Sequence, residues 1–371
     1  MGTHSEDGQA GGPCGEGERA EGPGSAGANS DGVRLGGGEA RPEKADPEGG
    51  RSEGWDSGDG YGDASASEDS HSRFAHPQNS RRPADSAPYT RHGSLTVLAR
   101  SPSLTPLLAL GALRSPFKRP AATADFPRTR LVLPGLRVDL ARLAAYERVC
   151  GFATGEDALP VTYPHVLGFP LAMSLMSGRD FPLPLLGLVH TSIEITRYRA
   201  LAATGEYELT VYVDGLAPHR RGTEAAVVTE LRVGEEVVWE SVSTYLARHR
   251  TKETDRERDR ERHEPLPGVD EWRLAGDIGR RYAAASGDRN PIHLYPLTAR
   301  LFGFPRAIAH GMWTAARCLA AHGTPQAVLV RAEFRAPVLL PGTVTYAADG
   351  ERFELCGGDR VHVTGGVHSL A

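Results

Sequence analysis

The chain has 371 residues, with 42 Lys and Arg against 47 Asp and Glu and a formal net charge of −5, so no basic footprint for nucleic acid exists and that partner class is set aside. Its length exceeds one ordinary domain, which predicts two modules plus irregular segments. Cys14, Cys150, Cys318 and Cys356 are scattered with no Cys-x-x-Cys spacing, which points away from a disulfide framework or a zinc site and fits a reducing cytoplasm.

Composition changes along the chain. After Met1 and up to Thr90 the large apolar or aromatic residues are Val33, Leu35, Trp55, Tyr61, Phe74 and Tyr89, set among Gly, Glu, Asp, Ser, Pro and Arg. Such a stretch cannot bury enough apolar surface to offset its conformational entropy, so residues 1–93 are expected to form a disordered low-complexity tail. GDGYG within it imitates a phosphate loop, but no strand precedes it and no helix follows. The Gly/Ala/Arg bias of the tail also resembles read-through of GC-rich upstream sequence, which would place the native start near Ser94. There is no apolar signal-peptide core. The longest apolar run, Leu104 to Leu113, is too short to span a bilayer and contains Pro106, so a cytoplasmic protein without a membrane partner is expected.

Order is expected from Ser94. Pro102, Pro106, Pro116, Pro120 and Pro127 make the segment to about Arg130 read as an extended arm. VDLARLAAYERVCG places apolar residues at helical spacing behind a cap-like Asp139, and GFPLAMSLM, Gly168 to Met176, reads as a buried helix. VHTSIEITRYRAL, ELTVYVDGL, EAAVVTELRV and VVWESVSTYLAR alternate apolar and polar residues, with a hairpin at RVGEEV. An antiparallel sheet with a helix against one face follows, over residues 94–248. The mixed-charge run that starts at His249 reads as a solvated linker, 249–265.

Residues 266–371 repeat this order. GDIGRRYAAASG is predicted as a short helix capped near Asp277, and AHGMWTAARCLAAHG as a longer one ending at Gly323. AVLVRAEFRAPV, GTVTYAAD, RFELCGG and RVHVTGGVH are the strands. Tyr146 precedes Gly151 by the same spacing with which Tyr282 precedes Gly287, but Phe152 stands where the second copy has Asp288. The pattern is a duplication whose first copy has lost its polar loop.

That loop is SGDRNPIHL, Ser286 to Leu294, which sets an acid, a carboxamide, a proline and an imidazole close together. Taken alone, Asp-x-Asn-Pro is a turn with an Asx cap. A metal reading would use Asp288 and His293, with His310 as an optional third, but the spacing matches no familiar ligand pattern and lacks a clear third ligand; His310 reads as a helix cap. Adding water across an enoyl thioester needs a group to hold and deprotonate the water, a proton for the α-carbon, and a site for enolate charge. Asp288 and His293, flanking Asn290 and a stiffening Pro291, supply the first two. Gly311, opening an apolar helix, supplies a free backbone N–H for the third. His165 and His190, in apolar company, read as satisfied core histidines, Trp239, Trp272 and Trp313 as packing, and Arg280 and Arg281 as solvated residues rather than phosphate ligands.

YAAASGDRNPIHLYPLTARLFGFPRAIAHGM resembles the signature of the MaoC-like dehydratases, the (R)-specific enoyl-CoA hydratase family. The resemblance covers about Ser94 to Ala371 and implies an α+β double hotdog fold, two antiparallel sheets each wrapping a central helix. It implies that Asp288 and His293 are the catalytic pair, that the Gly311 amide belongs to the oxyanion hole, and that Asn290 supports the loop. LPVTYPHVLGFPLAMSLM and FPLPLLGLVH are similar to the degenerate half of double-hotdog 3-hydroxyacyl-thioester dehydratases. Expected with this are an acyl-CoA or acyl-carrier-protein substrate, no metal or organic cofactor, a possible homodimer, and a longer acyl chain lodged near Val161 to Met176. A hotdog thioesterase and a non-catalytic acyl-thioester-binding subunit are the alternatives.

Overall fold

The computed structural model describes residues 93–251 and 264–370; the low-complexity tail, its GDGYG stretch and most of the charged linker lie outside the described residues. The first described half runs β1 (Leu95–Val97), α1 (Leu104–Arg114), a short 3-10 turn, β2 (Arg130–Arg137), α2 (Leu140–Cys150), α3 (Tyr163–Met176), β3 (Leu188–Arg197), β4 (Glu206–His219), β5 (Gly222–Val233) and β6 (Glu236–Arg248). The second runs β7 (Gly268–Leu274), α4 (Ile278–Ser286), α5 (Pro291–Leu294), α6 (Pro296–Leu301), α7 (Gly311–His322), β8 (Val328–Phe334), β9 (Gly342–Asp349), β10 (Arg352–Gly357) and β11 (Arg360–Ser369).

The strands form one sheet in the order β1-β2-β4-β5-β6-β3-β8-β11-β10-β9-β7. Read outward from its middle, β3-β6-β5-β4-β2 and β8-β11-β10-β9-β7 follow the same order, with β1 an added edge strand, so the duplication in the sequence is also one of topology. They join where β3 and β8 pair antiparallel, Ile193 opposite Ala332 and Ile195 opposite Val330. This is the double hotdog, with one buried helix, α3 or α7, against the same sheet face in each half.

Local chemistry explains the main elements. Asp139 caps α2, its carboxylate accepting from the N–H groups of Ala141 and Arg142 at 3.0 and 3.1 Å. Asp277 holds the equivalent position ahead of α4 but makes no side-chain cap bond. Both helices end on a left-handed glycine, Gly151 at φ 84° and Gly287 at φ 85°. Gly234 at φ 60° turns the β5–β6 hairpin.

α3 starts earlier than its apolar run suggested and contains Pro170. A proline inside a helix costs about 3 kcal/mol. Burial of Leu171, Met173, Leu175 and Met176 offsets this at roughly 2 kcal/mol each. The expected extended arm is in part a helix. Pro106 lies in the first turn of α1, where its missing N–H forfeits no helical bond. Arg114 and Lys118 tie this arm to the end of α3, donating to the carbonyls of Ser177 (2.9 Å), Gly178 (2.7 Å) and Arg179 (2.9 Å). Trp239, Trp272 and Trp313 are buried packing residues, as expected.

Candidate active site

The loop from Ser286 to Leu294 is held by its own side chains. The Ser286 hydroxyl accepts from the Asp288 N–H at 3.2 Å, and the Asp288 carboxylate accepts from the Asn290 N–H at 3.1 Å. Asn290 then caps α5, accepting from the Ile292 N–H at 3.4 Å, while Pro291 occupies the first helical position. The Asx turn and the candidate catalytic loop are therefore the same object.

α5 brings His293 back beside Asp288. Its Nδ1 lies 2.9 Å from the Ile308 carbonyl oxygen, and a carbonyl only accepts, so Nδ1 carries the proton and Nε2 keeps its lone pair. His310 sits directly before α7, as its reading as a cap required, but its side chain makes no cap bond. It stacks on the His293 ring at 3.7 Å and donates from Nε2 to the Asp288 carbonyl oxygen at 3.0 Å. Ligand atoms of Asp288, His293 and His310 all lie within 4.8 Å of one another. The fold thus brings His310 to the other two members of the metal reading. His293 Nδ1 and His310 Nε2 each engage a backbone carbonyl, so neither of these nitrogens is available to an ion.

Burial sets the electrostatics. It raises the Asp288 carboxyl above its ordinary range, with His293 and the Asn290 N–H acting against the shift. It lowers His293, against the pull of the Asp288 charge and the Ile308 carbonyl. Burial, and then His293, hold His310 well below the ordinary histidine value. Near neutral pH the pair is a carboxylate and a neutral imidazole with a free Nε2.

Gly311 opens α7, and a Cβ there would lie 3.2 Å from the Phe334 ring, so the position is shaped for glycine. In the first half, Phe152 follows Gly151 and stacks on Tyr146 at 6.4 Å, where the second half has its acid. Arg280 and Arg281 are exposed, Arg280 donating to the Leu294 carbonyl at 3.1 Å.

Other residues at the site were not singled out by motif. A Cβ on Gly279 would overlap the His293 carbonyl, so glycine in the first turn of α4 is what lets α5 approach; an isolated helical glycine was its only signal. Arg142 on α2 donates to the Ala285 and Ser286 carbonyls, each at 2.7 Å, fixing the end of α4 from the other half. Tyr245 on β6 is buried near Asp288, whose charge helps to hold the phenol neutral. His165 and His190 lie in the core, but they are not satisfied: Nδ1 of the first and Nε2 of the second are buried with no partner among the described residues.

Residues 252–369 match the model of the MaoC like domain. The chain is 41% identical over 234 residues to 3-hydroxyacyl-thioester dehydratase X of Mycobacterium tuberculosis, covering 62% of this chain and 83% of that protein. The chain belongs to the MaoC-like dehydratase family. The crystal structure of HtdX of M. tuberculosis superposes with a TM-score of 0.57 at 38% identity, over 65% of this chain and all of that one (100%). A MaoC-like dehydratase from Phytophthora capsici shares the fold, at TM-score 0.53 and 17% identity over 67% of this chain and 97% of that one. Matches of this length extend beyond residues 252–369 into the first half.

Proposed function

We propose that this member of the MaoC-like dehydratases interconverts (3R)-hydroxyacyl and trans-2-enoyl thioesters, carried on coenzyme A or acyl carrier protein, by reversible loss and addition of water. The observation that carries this is the placement of Asp288 and His293 side by side at the N-terminus of the buried helix α7, next to Gly311. Residues 266–371 form the catalytic half and residues 94–248 the degenerate half that supports it.

In the hydration direction the Asp288 carboxylate and the His293 Nε2 hold a water molecule. Its oxygen bonds to C3 as its proton passes to the pair, and the C2–C3 π electrons move toward the thioester carbonyl. The Gly311 N–H receives the resulting enolate oxygen, helped by the positive end of α7. The pair then delivers a proton to C2. Dehydration is the reverse. Asn290 holds the loop that presents both groups.

Loss of the conjugated enoyl absorbance with crotonyl-CoA, and with the same acyl group on carrier protein, tests the reading. Asp288→Asn should lower turnover about a thousandfold, within the range for removal of a general acid–base group. Release of free thiol would instead indicate a thioesterase, and tight binding without turnover an acyl-thioester-binding subunit. A homodimer would be a second association beyond the internal pairing of the halves, read by light scattering.

A further inference from the structure

β6 and β11 hold equivalent places in the two halves, each beside the strand at the centre of the sheet. Their helix-facing side chains differ in kind. On β11 these are Val363, Gly365 and Val367, and the Phe353 ring fills the space above Gly365, so this floor is hydrocarbon throughout. On β6 they include Ser241, Ser243 and Tyr245, all buried, with Thr229 of β5 opposite Ser241.

The β6 stripe is oriented by its neighbours. Thr229 faces α3, because a Cβ on Gly168 would meet its Cγ2 at 2.6 Å. Tyr245 lies at the catalytic end, near Asp288, and stacks on His190 at 4.6 Å. His190 touches the ring of Phe334, the residue that packs on Gly311, and stacks on His165 of α3 at 5.8 Å. With strand rise at about 3.3 Å per residue, Ser243 and Ser241 stand roughly 7 and 13 Å beyond Tyr245. Ser241 Oγ, His165 Nδ1 and His190 Nε2 are buried without a hydrogen-bond partner among the described residues, and the nearest partner of the buried Ser243 hydroxyl is the Tyr245 phenol. Buried polar atoms are rarely left unpaired, and these lie along one face, whereas β11 carries none.

Taking the acyl chain to lodge beneath α3, as the sequence led one to expect, we propose that this face selects a chain bearing an in-chain oxygen, a hydroxyl or keto group, over a plain alkyl chain. The inference rests on the thioester reading above and names its substrate class. The stripe begins at the catalytic pair and is closed to solvent, so the part of a substrate that enters it is the end remote from the carrier. Serine hydroxyls and neutral imidazoles each donate and accept, and so match either a hydroxyl or a carbonyl. The Gly168–Thr229 contact ends the stripe and sets the reach.

The test compares kcat/KM for two trans-2-enoyl-CoA thioesters of roughly twelve carbons, a length that spans the stripe. One is unsubstituted and the other carries a keto oxygen in its outer half. Crotonyl-CoA, and crotonyl on carrier protein, run as controls with the wild type. The expected result is about a tenfold preference of the wild type for the keto chain, with the double substitution Ser241→Ala and Ser243→Ala abolishing that preference. Turnover of crotonyl thioester with equal or better use of the plain chain overturns the inference and leaves the thioester reading standing; the stripe would then be satisfied by water alone. A keto preference that survives both substitutions also overturns it. No turnover of crotonyl on either carrier overturns the thioester reading and this inference together.

Discussion

Asp288 and His293 are pushed in opposite directions by the same burial, and this fixes the pH range in which they work together. The proposed hydration needs the carboxylate ionised and Nε2 of His293 unprotonated. Burial raises Asp288 above its ordinary 3.8 and lowers His293, so the acid limb of kcat/KM should lie above pH 3.8. A pH–rate profile with its acid limb at or below pH 3.8 would contradict the assignment. Stability follows a related rule. Burial lowers His165 to about 4 from an ordinary 6.5. The unfolded chain therefore binds a proton here that the folded one does not, and the contribution, full above pH 6.5, is lost as pH falls toward 4. Its upper size is on the order of 3 kcal/mol. Thermal melting should show a falling Tm from pH 7 to pH 4.5, and His165→Phe should flatten that slope. Gly279→Ala, which forces a methyl into the His293 carbonyl, should cost about 2 kcal/mol and at least tenfold in kcat. Retained activity in that variant would show that α5 can move without consequence.

Among the elements, α2 of the degenerate half acts on α4 of the catalytic one. The Arg142 guanidinium donates to the last carbonyls of α4 just ahead of Asp288, a cation at a helix C-terminus in addition to two short hydrogen bonds. Arg142→Ala should lower kcat about tenfold with little change in KM, because it loosens the loop rather than a substrate contact. Lysine, a point charge without the planar fork, should restore only part of the loss. Steady-state kinetics of both variants check this. The helix ends here were legible, since Gly151 and Gly287 announce left-handed caps and the duplicated Tyr–Gly spacing aligns the two helices. Their contact across the halves, Tyr146 on Tyr282 at 5.9 Å, was not, because sequence separation hides it. The α1 helix was missed for a different reason. The density of prolines between Pro102 and Pro127 suggested extended backbone, but the one inside the helix sits where a proline is harmless.

For the molecule as a whole, the proposed function gives the second half one active site that depends on the first half for its completion. The seam is the β3–β8 ladder, and neither strand edge is complete without the other. A fragment of residues 264–371 should lose more than a hundredfold in activity, since it lacks the β3 edge, Arg142 and Tyr245. Adding a fragment of residues 93–251 should restore a measurable part of it, and an isolated second half with wild-type turnover would overturn this view. No helix among the described residues is long and apolar enough to cross a membrane.

The sequence by itself determined the duplication, the two buried helices and most strands, and it singled out Asp288, Asn290, His293 and Gly311 as candidates. Each of these rests on local patterns: periodicity, cap residues, and a loop whose members lie within a few residues of each other. Only the tertiary structure decided that His310 stacks on His293, that Gly279 and Arg142 hold the loop, and that Ser241, Ser243, His165 and His190 share one buried face. Those relations join residues far apart in the chain, and a lone histidine or serine in an alternating strand reads the same whether its polar atom is satisfied or left waiting for a partner.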